Sequence, residues 1–356
     1  MKEAYKPIKF PQDELPHDKI IEWWYFNGHL WDEKQNHYAF MYCLFKADVK
    51  RVNLPLISSL PLKNVYFEHS MISDIKAKKF YSSIYPICVP LPDNFSRPLI
   101  YAHYLTTRPD YSYLDEVKIF HYHLKNTNLD LFFENSKKPL LENQSGFVDL
   151  KIDRTSWYYS LSNLKIKGRL KIKNKPVEVS GQGWHDHQWA NAPYIDDFWI
   201  WFSVQLENKV EIVCFEYGRE IKTRLATVID ENGSQTTYPV EITPAGKNWT
   251  SPKTKASYPQ AWEIKIPQRK IEMVVKSLIR NQEMLYGLIN YWEGGMKVQA
   301  KIDGKIISGL GFAELVGFPV NKKFRDIYRE QFKSELRKNW NKLKKQTYRK
   351  LTGIKI

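Results

Sequence analysis

From residue 22 onward the chain is a succession of short aromatic and β-branched runs separated by polar turns. Glu-Trp-Trp-Tyr-Phe-Asn-Gly-His-Leu-Trp at 22–31 leads through a polar turn at 32–36 into His-Tyr-Ala-Phe-Met-Tyr-Cys-Leu-Phe-Lys at 37–46. Runs of this kind are strands, and two of them joined by a short polar turn are a hairpin. Comparable runs recur at 65–73, 117–124, 157–162, 198–206, 210–217, 262–266, 271–277 and 306–315. Helical periodicity is scarce before residue 321, so the body is predicted to be all-β. Pro- and Ser-rich stretches at 54–62, 85–98 and 243–259 read as loops or insertions.

One internal similarity organises these strands. Ile172-Lys-Asn-Lys-Pro-Val-Glu-Val-Ser-Gly-Gln-Gly-Trp184 resembles Ile302-Asp-Gly-Lys-Ile-Ile-Ser-Gly-Leu-Gly-Phe312. Each is a strand, a tight turn and a strand ending in Ser-Gly-x-Gly-aromatic, and Gly181 matches Gly309, 128 residues later. Two related all-β domains follow from this, over 20–192 and 193–320, with the boundary near Pro193.

Composition sets limits. The 356 residues are 43% hydrophobic and 26% charged, enough for a sizeable core and unlike a disordered or collagenous chain. Aromatic residues at 15% fit half-buried sheet positions or a pocket for a flat apolar ligand. Three scattered cysteines, Cys43, Cys88 and Cys214, form no disulfide framework and point to a reducing compartment, hence a cytoplasmic location. No apolar run reaches the ~18 residues of a membrane span, and the N-terminal 15 residues lack the apolar stretch of a signal peptide. Of the net charge of +15, ten units lie in 321–356, where thirteen Lys/Arg face three Asp/Glu. There Phe324, Tyr328, Phe332, Leu336, Trp340 and Leu343 step by three or four, which predicts a basic amphipathic helix. It either packs on the body or rests on an anionic membrane. A helix with its aromatics on one stripe is not a nucleic-acid surface, and none is expected.

The densest chemical cluster is Gly181-Gln-Gly-Trp-His-Asp-His-Gln-Trp189. In an extended chain His185, His187 and Trp189 share one face, and Trp184 and Asp186 the other. At the offset of 128, His185 becomes Ala313, Asp186 becomes Glu314 and His187 becomes Leu315, so the histidines belong to one copy only. Three readings stand: acid/base or ligand contact, metal binding by His-x-His (as also at His121 and His123), and a structural role. No further ligand completes either pair at a recognisable spacing, so no metal is expected. In the opening strand Glu22, Trp24, Phe26, Gly28 and Leu30 fall on one face, which makes Glu22 the single charge on an apolar face. Glu216 shares its face with Val210, Ile212 and Cys214, and Glu293 sits in Tyr291-Trp-Glu-Gly-Gly295. Phosphate-cradling, dinucleotide-binding, nucleophile-elbow and zinc-protease motifs are absent.

Glu22-Trp-Trp-Tyr-Phe-Asn-Gly-His-Leu30, Gly183-Trp-His-Asp-His-Gln-Trp189, Trp199-Ile-Trp-Phe202, Tyr291-Trp-Glu-Gly294 and Gly309-x-Gly-Phe-Ala-Glu-Leu315 occur in the order seen in the AttH-like / hydroxyneurosporene synthase (carotenoid 1,2-hydratase) family. The resemblance covers about 20–318. It implies two lipocalin-like antiparallel β-barrels in tandem, with the helical tail outside them. The hydratases of that family add water across an isoprenoid double bond after acid protonation, without a cofactor. Their His-x-Trp element matches His187 and Trp189. Of their further Tyr and Asp, Cys214 stands in place of the first and Glu216 of the second.

The expected function is therefore a cofactor-independent enzyme that hydrates, isomerises or cyclises an isoprenoid or polyene by acid catalysis. His187, Trp189, Glu216 and Glu22 are its candidate catalytic residues. Trp24, Tyr25, His69 and His185, with Trp199, Trp201, Tyr217 and Tyr291, are the candidate substrate contacts. The alternative is a lipocalin-type carrier of a hydrophobic small molecule, held at a membrane by its tail.

Overall fold

A computed structural model describes residues 5–52, 63–90, 98–104, 111–150, 154–192, 197–286, 289–320 and 323. The tail helix expected over 321–356 lies outside the described residues except for Lys323. Among them no helix is long and apolar enough to cross a membrane.

The first sheet holds β1 (Ile21–Trp31), β2 (His37–Asp48), β3 (Asn64–Asp74), β4 (Lys79–Pro90), β5 (Pro98–Tyr104), β6 (Tyr111–Lys118), β7 (His121–Lys125), β8 (Leu129–Asn135), β9 (Leu140–Leu141), β10 (Phe147–Asp149), β11 (Thr155–Ile172) and β12 (Lys175–Ala190). Successive strands pair antiparallel from β1 through to β8, and β12 returns to pair with β1. The long β11 pairs with β12 on one side and, through Leu164–Leu170, with β8 on the other. That last pairing closes the sheet into a barrel. Its interior is filled by Trp24, Phe26, Phe40, Tyr42, Tyr122, Tyr159 and Trp189 with their aliphatic neighbours.

The second sheet holds β13 (Trp199–Leu206), β14 (Glu211–Tyr217), β15 (Thr223–Ile229), β16 (Gln235–Pro239), β17 (Glu241–Thr250), β18 (Ser257–Ile266), β19 (Ile271–Ser277), β20 (Glu283–Tyr286), β21 (Ile289–Ile302) and β22 (Lys305–Val316). Its order is β16-β15-β14-β13-β22-β21-β19-β18-β17, so it curls around its own core but ends on two edge strands. Both sheets share the sequence of pairings that the internal similarity implies. The final hairpin, β11–β12 or β21–β22, folds back so that its last strand pairs with the sheet's first, β1 or β13. At that contact the backbones come very close. A Cβ on Gly181 would lie 2.0 Å from the His29 carbonyl oxygen, and one on Gly309 would lie 2.6 Å from that of Gln205. Matching glycines thus serve one geometric need.

Of the stretches expected as loops, 54–62 and the 91–97 part of the second lie outside the described residues, and the rest is mostly strand. Residues 85–90 continue β4, and 243–259 form most of the β17–β18 hairpin. Pro244 is tolerated because β17 is an edge strand, and the bulge between Ala245 and Asn248 absorbs Gly246.

Between the sheets lies a third apolar layer. Tyr25, Met41, Cys43, Tyr158 and Trp184 from the first pack against Trp201, Phe215, Tyr217, Tyr291 and Phe312 from the second. Both faces of β1 and β12 are therefore buried. One face points into the barrel and the other into the junction between the two sheets.

Candidate active site

Strand alternation divides the candidate residues between two places. Glu22, Trp24, His185, His187 and Trp189 point into the first barrel, and Tyr25 and Asp186 point into the junction.

In the barrel, Glu22 and His187 are fully buried, and His187 Nε2 lies 2.9 Å from Glu22 Oε1. The same oxygen is 2.7 Å from His17 Nδ1. Glu22 Oε2 accepts from the His17 amide at 2.8 Å and from Lys46 Nζ at 3.2 Å. Trp189 stacks on His17 at 3.9 Å and Trp24 on His187 at 4.7 Å, so the indoles hold both imidazoles in place. Burial works to raise the Glu22 carboxyl, but hydrogen bonds from His17 and His187 overcome it and bring the group down to about 2. Burial depresses His187 to about 4 despite Glu22 beside it, so its imidazole is neutral at neutral pH. His185, packed on Phe26 with Nδ1 3.0 Å from the Tyr25 carbonyl oxygen, is likewise lowered well below the usual imidazole value by burial. The ligand atoms of His17, Glu22 and His187 all lie within 4.8 Å of one another, the one such group of three among the described residues.

A segment ahead of β1 covers this end of the barrel. Phe10 sits edge-on to Phe120 and Tyr159, the Lys6 carbonyl accepts from Trp157 Nε1, and Glu14 accepts from the Tyr122 hydroxyl.

The junction contains a cavity of about 110 Å³. Its walls correspond between the two sheets. Trp23 and Tyr25 of β1 match Trp199 and Trp201 of β13, because they pair with Gln188 and Asp186 as those pair with Val316 and Glu314. Cys43 and Phe45 of β2 match Phe215 and Tyr217 of β14 by the same logic. All eight line the cavity, as do Asp186 and Glu314, themselves one repeat apart.

Asp186 is held by three donors. The Tyr158 hydroxyl donates to Oδ2 at 2.6 Å, and the Ser160 hydroxyl and Trp184 Nε1 donate to Oδ1 at 2.6 and 2.5 Å. Trp201 Nε1 donates in turn to the Tyr158 oxygen at 2.8 Å. Glu314 Oε2 accepts from Trp199 Nε1 at 2.7 Å. Burial pushes Asp186 up to about 7 against those hydrogen bonds, and it pushes Glu314 up to about 7 with help from the Asp186 charge. Two further carboxyls lie in the same junction. Glu293 accepts from the Tyr25 hydroxyl at 2.6 Å and Glu142 from Thr227 at 3.1 Å, and burial drives both well above the usual carboxylate range.

The remaining candidates are divided as well. Trp199, Trp201 and Tyr217 line the cavity, while His69 and Tyr291 are buried in the junction and bonded to each other at 2.6 Å. Glu216 does not reach the cavity. It shares its strand face with Cys214, which packs into the second sheet's core, and it is paired with Lys222 at 2.7 Å and Arg224 at 2.5 Å. Asp186, Glu314, Tyr158, Trp23 and His17 are not among the candidate catalytic or substrate-contact residues of the sequence. The signal for the acids was present, since Asp186 and Glu314 occupy the same repeat position.

The chain resembles two solved structures. An AttH protein from Nitrosomonas europaea superposes with a TM-score of 0.68 at 23% identity, over 88% of this chain and 98% of that one. Kievitone hydratase from Nectria haematococca superposes with a TM-score of 0.66 at 15% identity, over 89% of this chain and 94% of that one. At these identities the likeness is one of fold, and the fold is the lipocalin-type pair of sheets described above. No curated protein matches by sequence. The sequence profile of the AttH-like family matches residues 2–87 and 99–318, nearly all of both sheets, and the chain belongs to the AttH-like family.

Proposed function

We propose that this protein is a cofactor-independent enzyme that adds water to a double bond of an apolar small molecule, with the reaction in the cavity between the sheets. The observation that carries the reading is the pair of buried carboxyls, Asp186 and Glu314, both poised near 7 within one aromatic cavity. Two carboxyls that both titrate around neutral pH are each partly protonated there, so one member can be an acid while the other is a base.

Hydration needs both. The protonated carboxyl gives its proton to one alkene carbon, and the electron pair of the double bond forms that C–H bond. Water attacks the cationic carbon beside it, and the carboxylate takes the proton that water loses. The proton has then passed from one carboxyl to the other, and their roles are exchanged for the next turnover. The faces of Trp23, Trp199, Trp201 and Tyr217 are the groups that would stabilise the intermediate cation.

An apolar cavity of roughly 150 Å³ takes up benzene, so one of about 110 Å³ holds at most the reacting end of a substrate. The aromatic lining supports an isoprenoid or similar polyene as the substrate, with one end in the cavity and the rest of its chain outside. The likeness to a kievitone hydratase supports hydration over isomerisation or cyclisation. His187, Trp189 and Glu22 then support the fold from the far side of β1 and β12 rather than touching the substrate.

The test is mass spectrometry of organic extracts from natively purified protein, before and after incubation with an apolar extract of the host. A bound unsaturated compound that gains the mass of one water is the expected result. A bound compound that is released unchanged, with nothing in the extract consumed, would sink the enzyme reading and leave a carrier.

A further inference from the structure

Outside the cavity the described residues contain one cluster with the composition of a metal site: His17 ahead of β1, Glu22 on β1 and His187 on β12. We propose that these three bind one zinc ion through His17 Nδ1, Glu22 Oε1 and His187 Nε2, with a fourth position for water or an anion. Two nitrogens and one carboxylate oxygen are a donor set that zinc accepts readily. Glu22 Oε1 now lies 2.7 and 2.9 Å from the two nitrogens. Ligands around tetrahedral zinc stand about 3.3 Å apart, so each nitrogen needs to part from that oxygen by about half an ångström, while the two nitrogens stand within 4.8 Å of each other.

The surroundings carry the argument further than the three ligands alone. A nitrogen that binds metal has no proton, so the ring's proton must sit on the other nitrogen and needs an acceptor there. His17 Nε2 faces Asp13 Oδ1 at 3.3 Å, and His187 Nδ1 faces the Tyr159 hydroxyl at 3.4 Å. Both acceptors are thus in place, one of them a carboxylate. Lys46 occupies Glu22 Oε2, which leaves Oε1 as the ligand. Its charge also favours an anion, such as hydroxide, at the fourth position. Glu22 and His187 are buried, whereas the His17 and Asp13 side chains keep 18% and 27% of their exposure, so an ion enters from the side of the covering segment. Binding would tie that segment to β1 and β12.

The experiment uses the full-length protein, stripped with EDTA and dialysed against zinc alone, with bound metal counted by plasma mass spectrometry. Cobalt replaces zinc in a parallel sample, where four-coordination gives a strong visible absorption. The expected result is one equivalent bound, a four-coordinate cobalt spectrum, and weaker binding by ~10-fold for Asp13→Asn and by more than that for His17→Ala. Circular dichroism of His17→Ala confirms that it folds, since His17 lies outside every strand. Glu314→Gln, in the cavity, is expected to bind zinc like the parent. Less than about a tenth of an equivalent bound by the parent, or equal binding by a folded His17→Ala protein, would overturn the proposal. The three side chains would then be a hydrogen-bonded clasp on the covering segment. No outcome depends on the reaction proposed for the cavity.

Discussion

Asp186 and Glu314 stand 128 residues apart, at the same position of two repeated strand pairs, and face one cavity from two different sheets. Each is bonded to an indole, Asp186 to Trp184 and Glu314 to Trp199. Repetition has delivered the two carboxyls that an acid and base mechanism requires.

Asp186→Asn and Glu314→Gln should each lower turnover by about 100-fold or more, the usual contribution of a positioned acid or base. Substrate affinity should change far less, because the aromatic walls remain. Steady-state kinetics on the compound found in the extract measures both. Full activity in either variant would remove that carboxyl from the mechanism.

Activity should depend on pH as a bell centred near 7, since both carboxyls are raised to about 7 and only the singly protonated pair is competent. The descending limb on each side belongs to the pair and not to one residue. A profile of kcat/KM against pH that stays flat from 5 to 9 would contradict this, and those bounds are roughly two units either side of the pair.

The same raised values predict a cost in stability at high pH. A carboxyl whose folded value is raised contributes fully below its unfolded value and loses that contribution as pH climbs through the folded value. For Glu314 the window runs from its ordinary 4.5 to about 7. Glu314→Gln should therefore melt higher than the parent at pH 8, by roughly 2–4 °C, and no higher near pH 4. Melting curves at the two pH values suffice, and a variant less stable at the higher pH would refute the assignment.

Glu22 should behave in the opposite sense. Its folded value is lowered to about 2, so its contribution is complete above 4.5 and disappears as pH falls between those two values. Replacing it with Gln in the presence of EDTA should cost about 3 kcal/mol at pH 7, because Lys46 is left buried without its counter-charge. The difference should narrow towards pH 2. Denaturant titration at both ends of the range measures it, and a cost that does not change with pH would be the contrary result.

Gly181→Ala and Gly309→Ala should each destabilise their own sheet by about 2 kcal/mol or more, as a methyl is driven against a neighbouring strand. The effect should be larger for Gly181, whose Cβ meets a carbonyl oxygen at 2.0 Å. Equal stability of both variants and parent would show that the strands can part.

Much of the architecture was legible. The aromatic runs became strands, the pairing of Gly181 with Gly309 became a shared topology, and alternation correctly divided Glu22, His185 and His187 from Asp186. What could not be read was which face of β1 and β12 borders a cavity. Trp24 and Trp23, on opposite faces, are equally apolar, and a strand buried on both sides loses the contrast that marks inside from outside. The histidines, which differ between the copies, stand out in the sequence, whereas the acids, which match, line the cavity. Glu216 illustrates a related limit. Its apolar strand neighbours pointed to a desolvated acid, but Lys222 and Arg224 sit across the turn, a pairing that alternation along one strand cannot show.

A cavity walled by the corresponding faces of two copies has an approximate two-fold axis through it. Two identical barrels meeting this way would hold a molecule equally well in either of two reversed orientations. Joining the copies in one polypeptide lets each wall vary independently, and here the walls have diverged. Tyr25 has Trp201 as its counterpart, Cys43 has Phe215, and an aspartate answers a glutamate. The result is a chamber with two unlike ends, built from a plan that on its own has no direction.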